Sequence, residues 1–131
     1  HGMREIVTIL DAQSHIEQYY REFNIFILSS VYESCPNALF EAMLARCLCI
    51  VSNGANTDSF IRDGINGSVY NGTTAHLTEK LISAVELVLS NRHQTMIENA
   101  QRYAMENFSV DSMADSYVKI YEMIMSDRRK N

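Results

Sequence analysis

Two short, uninterrupted apolar runs, Ile25-Phe26-Ile27-Leu28 and Leu48-Cys49-Ile50-Val51, bracket a stretch of helix formers. A strand that is apolar at every position has to be covered on both faces, as in a parallel sheet between helix layers. Between the runs, Leu39, Phe40, Met43, Leu44 and Cys47 recur at helical spacing. They predict a helix over residues 38–46 whose apolar face turns inward. Strand, helix, strand is the repeating unit of an α/β fold.

The alternation extends in both directions. Residues 6–10 predict a strand, 11–14 a polar turn and 15–22 a short helix with Ser14 as N-cap. After the second buried run comes a polar loop, residues 52–57, and a short helix over 57–62 that stops at Asp63-Gly64. Ile65-Asn66-Gly67 is a turn and residues 68–70 a last short strand. Leu77, Leu81, Val85 and Val88 mark a long amphipathic helix. Two more helices follow, over 94–106 and 109–126. The last carries Met113, Tyr117, Ile120, Tyr121 and Ile124 as its apolar stripe. Four strands are few for an independent doubly wound domain. The fold expected is α/β, a partial Rossmann-like parallel sheet flanked by helices, the back part of a larger domain.

Composition narrows the function. The chain has 131 residues, enough for one core, and a net charge of -5. No basic block precedes Arg128-Arg129-Lys130, which reads as a solvated tail. Nucleic-acid binding through phosphate neutralisation is not expected on that ground. The three cysteines are an odd set and suggest a reducing compartment. Cys47 and Cys49 are expected on opposite faces of a strand, buried as small hydrophobes rather than sharing a metal. No apolar run reaches the length of a membrane span, and no signal peptide is visible. His1-Gly2-Met3 reads as a cloning remnant. Residues 4–131 then form one domain fragment whose natural chain begins upstream.

The chemistry gathers around Glu33 and Glu41, eight residues apart, between the first buried strand and the helix after it. The carboxyl ends of the strands in an open α/β sheet are where such folds bind ligands. On spacing alone, Glu41 could equally be a first-turn acid favoured by the helix dipole. Glu33 could equally be a solvated loop acid. Several segments in order add to the spacing: Asn24 to Ser30, then Glu33 with Pro36-Asn37 and Glu41-Ala42-Met43. Asp63-Gly64-Ile65-Asn66-Gly67 and Phe108-Ser109, with Tyr117 and Tyr121, complete the set. Together they resemble the C-terminal donor domain of retaining GT-B glycosyltransferases, the family 4 and glycogen-synthase-like group.

The resemblance implies a function. In the intact enzyme a hexose would pass from a nucleoside diphosphate sugar, such as a UDP- or GDP-hexose, to a glycan, lipid or small acceptor. Glu33 would be the catalytic carboxylate, touching hydroxyls of the transferred sugar. Glu41 would hold the ribose, and Ser34, Cys35, Pro36 and Asn37 would shape the donor loop. The loop would turn backbone N–H groups toward the sugar and diphosphate. The physics fits: a vicinal diol offers two donors and an ionised carboxylate only accepts. An anionic diphosphate is favoured at a helix N-terminus. The group works without a metal or cofactor, and this sequence has no Asp-x-Asp pair. The resemblance further implies a cytoplasmic enzyme, peripheral at the inner membrane face. An N-terminal acceptor domain would be its partner within the same protein, and the fragment would not turn over alone. The truncated sheet predicts self-association.

This chain departs from the family pattern. Ser34 and Cys35 stand where a glycine and an aromatic are usual, Ala55-Asn56 where two glycines are, and Ser59 where a glutamate is. Arg46 and Leu48 replace a glycine and a proline. Cys35 is not read as a nucleophile, since His15, His76 and His93 lie in other elements. Rival readings are a non-catalytic nucleotide-sugar-binding module and another GT-B enzyme, such as a nucleotide-sugar epimerase. A phosphorylase would need a cofactor lysine site that is not visible. An NAD domain would need a G-x-G-x-x-G after its first strand, and there is none.

Overall fold

The computed structural model describes residues 6–56 and 58–128. Three parallel strands form its sheet: β1 (Ile25–Leu28), β2 (Leu48–Ser52) and β3 (Ser68–Tyr70), in that spatial order. Five helices accompany them: α1 (Ile16–Glu22), α2 (Asn37–Leu44), α3 (Thr74–Leu89), α4 (Gln94–Phe108) and α5 (Val110–Arg128). Ile25 pairs with Leu48 and Leu28 with Val51, while Ile50 pairs with Ser68 and Ser52 with Tyr70. The fold is α/β, a partial Rossmann-like parallel sheet flanked by helices, as its sequence predicts.

Every residue of β2 is buried, because it is the central strand and has helices on both faces. Cys49 and Val51 point into one core with Leu39, Phe40, Ala42 and Met43 of α2 and Ala100 and Ala104 of α4. Leu48 and Ile50 point into the other, with Tyr70, Ala84 of α3 and Ile97 of α4. The alternation follows from the two-residue period of a strand. Edge strand β1 is only partly covered, and Ile27 is exposed.

Several expectations need correction. The segment 6–10 forms no strand; no neighbour among the described residues pairs with it, and Ile6 and Ile9 stand exposed. The helix expected over 57–62 is replaced by an irregular turn, with Thr57 outside the described residues. The Asn56 side chain brackets Ile61, accepting from its N–H and donating to its C=O, both at 2.8 Å. Ser59 is left-handed at φ 56°. A side chain that satisfies the backbone locally competes with helix formation. His15, not Ser14, sits at the start of α1, with no side-chain cap. In α2 the inward residues are Leu39, Phe40, Ala42 and Met43, while Leu44 is exposed. Ala84 takes the core place expected for Val85 in α3. Cys47 and Cys49 are both buried, but in the same core rather than on opposite faces. Residues two apart along a strand share a face, and Cys47 lies just before β2. Of the terminal basic cluster, Arg129 and Lys130 lie outside the described residues, as do residues 1–3.

The closure of α2 explains one departure. Cys47 N–H donates to Ala42 C=O at 2.9 Å and Arg46 N–H to Met43 C=O at 3.1 Å, the paired bonds of a Schellman cap. Arg46 occupies the left-handed position at φ 68°, where glycine is the usual residue. Its guanidinium reaches Gln101 at 3.1 Å, Gln94 at 3.4 Å and Glu98 at 3.6 Å, all on α4. Backbone strain at Arg46 is thus accompanied by a tether from α2 to α4.

Candidate functional site

The site is assembled by two loops that leave the carboxyl ends of β1 and β2. They are stitched together by short polar contacts. Ser52 Oγ donates to Ser30 C=O and accepts from Ala55 N–H at 3.1 Å. Glu33 N–H donates to Gly54 C=O at 3.2 Å. A Cβ at Gly54 would fall 1.7 Å from the Val31 carbonyl oxygen, so only glycine lets the loops approach this closely. Asn53 N–H donates to Tyr70 C=O at 2.9 Å, which ties in the end of β3. A crevice of about 280 Å³ lies here, lined by Ser29, Ser30, Val31, Ser52, Asn53 and Tyr70 among others.

Past Glu33 the chain turns into α2. Pro36 is buried at the helix start and its carbonyl accepts from Leu39 N–H at 2.9 Å. Asn37 N–H donates to Cys35 C=O at 3.0 Å, and the Cys35 thiol approaches Asn37 Oδ1 at 3.9 Å. Ser34, Cys35 and Asn37 are exposed. Because α2 begins at Asn37, its first turn contains no acid. Glu41 lies one turn further in, so a first-turn dipole contact does not explain it.

Glu41 is exposed and stands at the border of two clefts. One, about 510 Å³, gathers Cys35, Asn37, Phe40 and Glu41 of the predicted loop and helix with Phe108 and Met113. The other, about 330 Å³, lies between α1 and α2 and is lined by Glu41, Leu44, Tyr20, Arg21, Glu17 and Ile16. The structure therefore brings Cys35, Asn37 and Glu41 together. Pro36 lies beneath them as the helix start. Glu33 lines neither cleft and is half-buried at the Gly54 contact.

Tyr20 and Arg21, which the sequence reading did not place at the site, line this cleft. Neither residue belongs to a motif, and α1 precedes β1, so only the packing of α1 on α2 brings them to Glu41. Burial, then the nearby negative charge of Glu41, raises the Tyr20 phenol above its ordinary pKa. Burial likewise pushes the Cys47 and Cys49 thiols up, so both stay protonated. The Cys47 thiol donates to Tyr20 C=O at 3.3 Å. Among the described residues, no three His, Cys, Asp or Glu side chains gather where they could hold a metal ion. No helix among them is long and apolar enough to cross a membrane.

The Asp63 turn proves to be a structural corner. Asp63 accepts from Val69 N–H at 2.8 Å and from Lys80 Nζ on α3 at 2.8 Å and 3.0 Å. Burial would raise the Asp63 pKa. The Lys80 and Val69 hydrogen bonds, with the charges of Lys80 and His76, outweigh it and hold the carboxyl below its usual range. Asn66 is buried and locks the turn, accepting from Arg62 N–H at 2.7 Å and donating to Phe60 C=O at 3.0 Å.

The architecture is an α/β unit: a three-stranded parallel sheet whose first strand leads through a loop into the helix that carries Glu41. The chain belongs to the family Glycosyl transferases group 1, whose model matches residues 1–91. It is 30% identical over 121 residues to the Vi polysaccharide biosynthesis protein VipC/TviE of Salmonella typhi. That match covers 90% of this chain and 21% of that protein. The fold is shared with Anabaena Alr3699/HepE in complex with UDP, at TM-score 0.84 and 19% identity, over 93% of this chain and 34% of that one. It is shared too with a glycosyltransferase from Rickettsia africae ESF-5, at TM-score 0.80 and 23% identity, over 90% and 32%. The chain thus spans about a third or less of the proteins it matches.

Proposed function

We propose that this chain is the donor-binding part of a retaining glycosyltransferase of the family 4 and glycogen-synthase-like group. In the intact protein it serves the transfer of a hexose from a nucleoside diphosphate sugar to a glycan, lipid or small acceptor. The observation that carries this reading is Glu41. It is an exposed carboxylate on a buried helix, at the meeting of two clefts, in a chain of the glycosyltransferase group 1 family. Alr3699/HepE is in complex with UDP, and the pneumococcal O-GlcNAc transferase GtfA with UDP and GlcNAc, which favours a nucleotide sugar as the ligand.

In this reading Glu41 accepts from both hydroxyls of the ribose, and Glu33 contacts the transferred sugar. The donor loop has fewer backbone donors to offer than its length suggests. Glu33 and Asn37 N–H are engaged within the protein, and Pro36 has none. Ser34 and Cys35 N–H remain for the sugar and diphosphate. Leaving-group charge is stabilised by these dipoles and by basic side chains rather than by a metal. The fragment requires the rest of its protein, including an N-terminal acceptor domain, for turnover. The site is cytoplasmic, with the whole protein peripheral to the membrane where the acceptor is a lipid.

The test is an amide-shift NMR titration of the chain with UDP-, GDP- and ADP-sugars, beside Glu41→Gln. Shifts clustered at residues 33–43 and 52–56, weakened at least tenfold in Glu41→Gln, are expected; a carboxylate bound to a diol supplies about that much. Binding unaffected by Glu41→Gln sinks the assignment of Glu41. Binding of NAD in place of nucleotide sugars sinks the functional reading.

A further inference from the structure

The central strand β2 is apolar from Leu48 to Val51 and ends on a serine. Ser52 is only 4% exposed, at the point where the second site loop leaves the sheet. A buried hydroxyl needs partners, because an unpaired polar group inside a protein costs free energy. Ser52 Oγ donates its one proton to the Ser30 carbonyl, across to the other loop. Its oxygen accepts from Ala55 N–H at 3.1 Å. The same N–H also reaches Ser52 C=O at 3.1 Å, so the turn after β2 has a backbone bond of its own. The bond to Ser30 is the part that the side chain alone supplies.

That bond is the first of three contacts that close the β1 loop on the β2 loop. Gly54 comes next, so close to the Val31 carbonyl that a side chain there has no room. Glu33 N–H then donates to Gly54 C=O at 3.2 Å. Ser30, Val31 and Glu33 are thus met in order by Ser52 and Gly54. Val31 and Tyr32 are both exposed and bring little apolar burial to hold the segment. Its position depends on the polar contacts at either end. Ser52 ties it to the most rigid part of the sheet, since β2 is buried along its whole length. Glu41 is held by other means: Leu39, Ala42 and Met43 fix the backbone of α2 in the core.

We propose that Ser52 is a positioning residue for the transferred sugar: its hydroxyl pins Ser30 against β2 and so places Glu33 at the carboxyl ends of the strands. The inference rests on the reading of Glu33 as the carboxylate that contacts that sugar. It divides the donor in two. The nucleotide depends on α2 and the core packing of that helix, and the sugar depends on the clamp between the loops. A group held beforehand in its bound geometry gains affinity, because binding then has little left to order.

Dissociation constants for UDP, GDP and ADP, and for UDP-glucose, GDP-mannose and ADP-glucose, are measured by amide-shift titration. The proteins are the wild type, Ser52→Ala, Ser52→Thr, Glu33→Gln and the double variant Ser52→Ala with Glu33→Gln. Ser52→Ala is expected to weaken the nucleotide sugar about fivefold, as for one hydrogen bond, with the nucleoside diphosphate nearly unchanged. A merely structural loss would weaken both ligands together. Ser52→Thr keeps the hydroxyl and is expected to restore sugar binding. Glu33→Gln is expected to show the same selective loss, and the double variant little more than Glu33→Gln, because residues acting through one group are not additive. Equal weakening of both ligands in Ser52→Ala, or none, overturns the proposal and leaves the functional reading standing. Fully additive losses in the double variant do the same. A wild type that binds no nucleotide sugar overturns both. If Ser52→Ala does not fold, Ser52→Cys, with a weaker donor in a similar shape, is measured against the same outcomes.

Discussion

Helices α2 and α5 look alike as sequence and differ in how far their surroundings cover them. Each carries an apolar stripe at helical spacing. In α2 the stripe disappears into the core: Leu39, Ala42 and Met43 have no exposed surface. In α5 it stays out: Met113, Tyr117, Ile120, Tyr121 and Ile124 are all exposed by 45% or more. The difference lies in what each helix meets. Both strands β1 and β2 and helix α4 lie against α2, whereas α5 extends from the end of α4 and packs on little else. An amphipathic pattern specifies a helix and the side it offers; whether that side is covered depends on a second surface. The candidate site sits on the covered helix, where packing of Leu39, Ala42 and Met43 fixes the backbone that carries Glu41.

The sharpest way to break this comparison is to cut into α2. Leu39→Ala removes a wholly buried side chain and is expected to lower stability by about 2–5 kcal/mol, read from the urea midpoint. A loss below about 1 kcal/mol would mean that α2 is no better packed than α5.

Helix α3 is an intermediate case, fastened by an ion pair as well as by apolar contacts. The folded Asp63 pKa is depressed, so its contribution is present above the unfolded carboxyl value near about 4. It is lost as pH falls through the lower folded value. The pair is partly exposed, so the contribution is about 1 kcal/mol or less. Thermal melts from pH 6 to 2 should show a steeper acid loss in the wild type than in Asp63→Asn. Parallel curves would remove Asp63 from the account.

The smallest effect on stability is expected in α5. Ile120→Ser with Ile124→Ser should change stability by within about 0.5 kcal/mol per site, as for exposed positions elsewhere. The same pair should abolish the concentration-dependent self-association that an uncovered apolar face promotes, measured by sedimentation. A monodisperse wild-type monomer at high concentration would show that the α5 face is not adhesive.

Much of the fold was legible because it is written in local patterns. The unbroken apolar runs mark β1 and β2, and the 3.6-residue period marks α3, α4 and α5 to within a few residues. Glu33 and Glu41 were legible through their spacing and flanking segments. The failures share a cause. Residues 6–10 have the composition of a strand, but a ladder requires a neighbouring backbone, and none among the described residues supplies one. Ser59 and Asn56 carry no periodic signal, and their side-chain and backbone geometry undoes a short helix. Ala42 and Ala84 were passed over for the larger Leu44 and Val85, although close approach of helix and sheet favours the small residue.

By itself the sequence determined the α/β class, the parallel strands and the position of two carboxylates after the first of them. Periodicity and apolar runs act through the backbone of each segment, and so survive without knowledge of its neighbours. The tertiary structure alone decided that α2 is buried and α5 is not, that Arg46 tethers α2 to α4, and that Tyr20 and Glu41 line one cleft. Those are contacts between segments far apart in the chain. They depend on how helices seat on a sheet, which no single segment encodes.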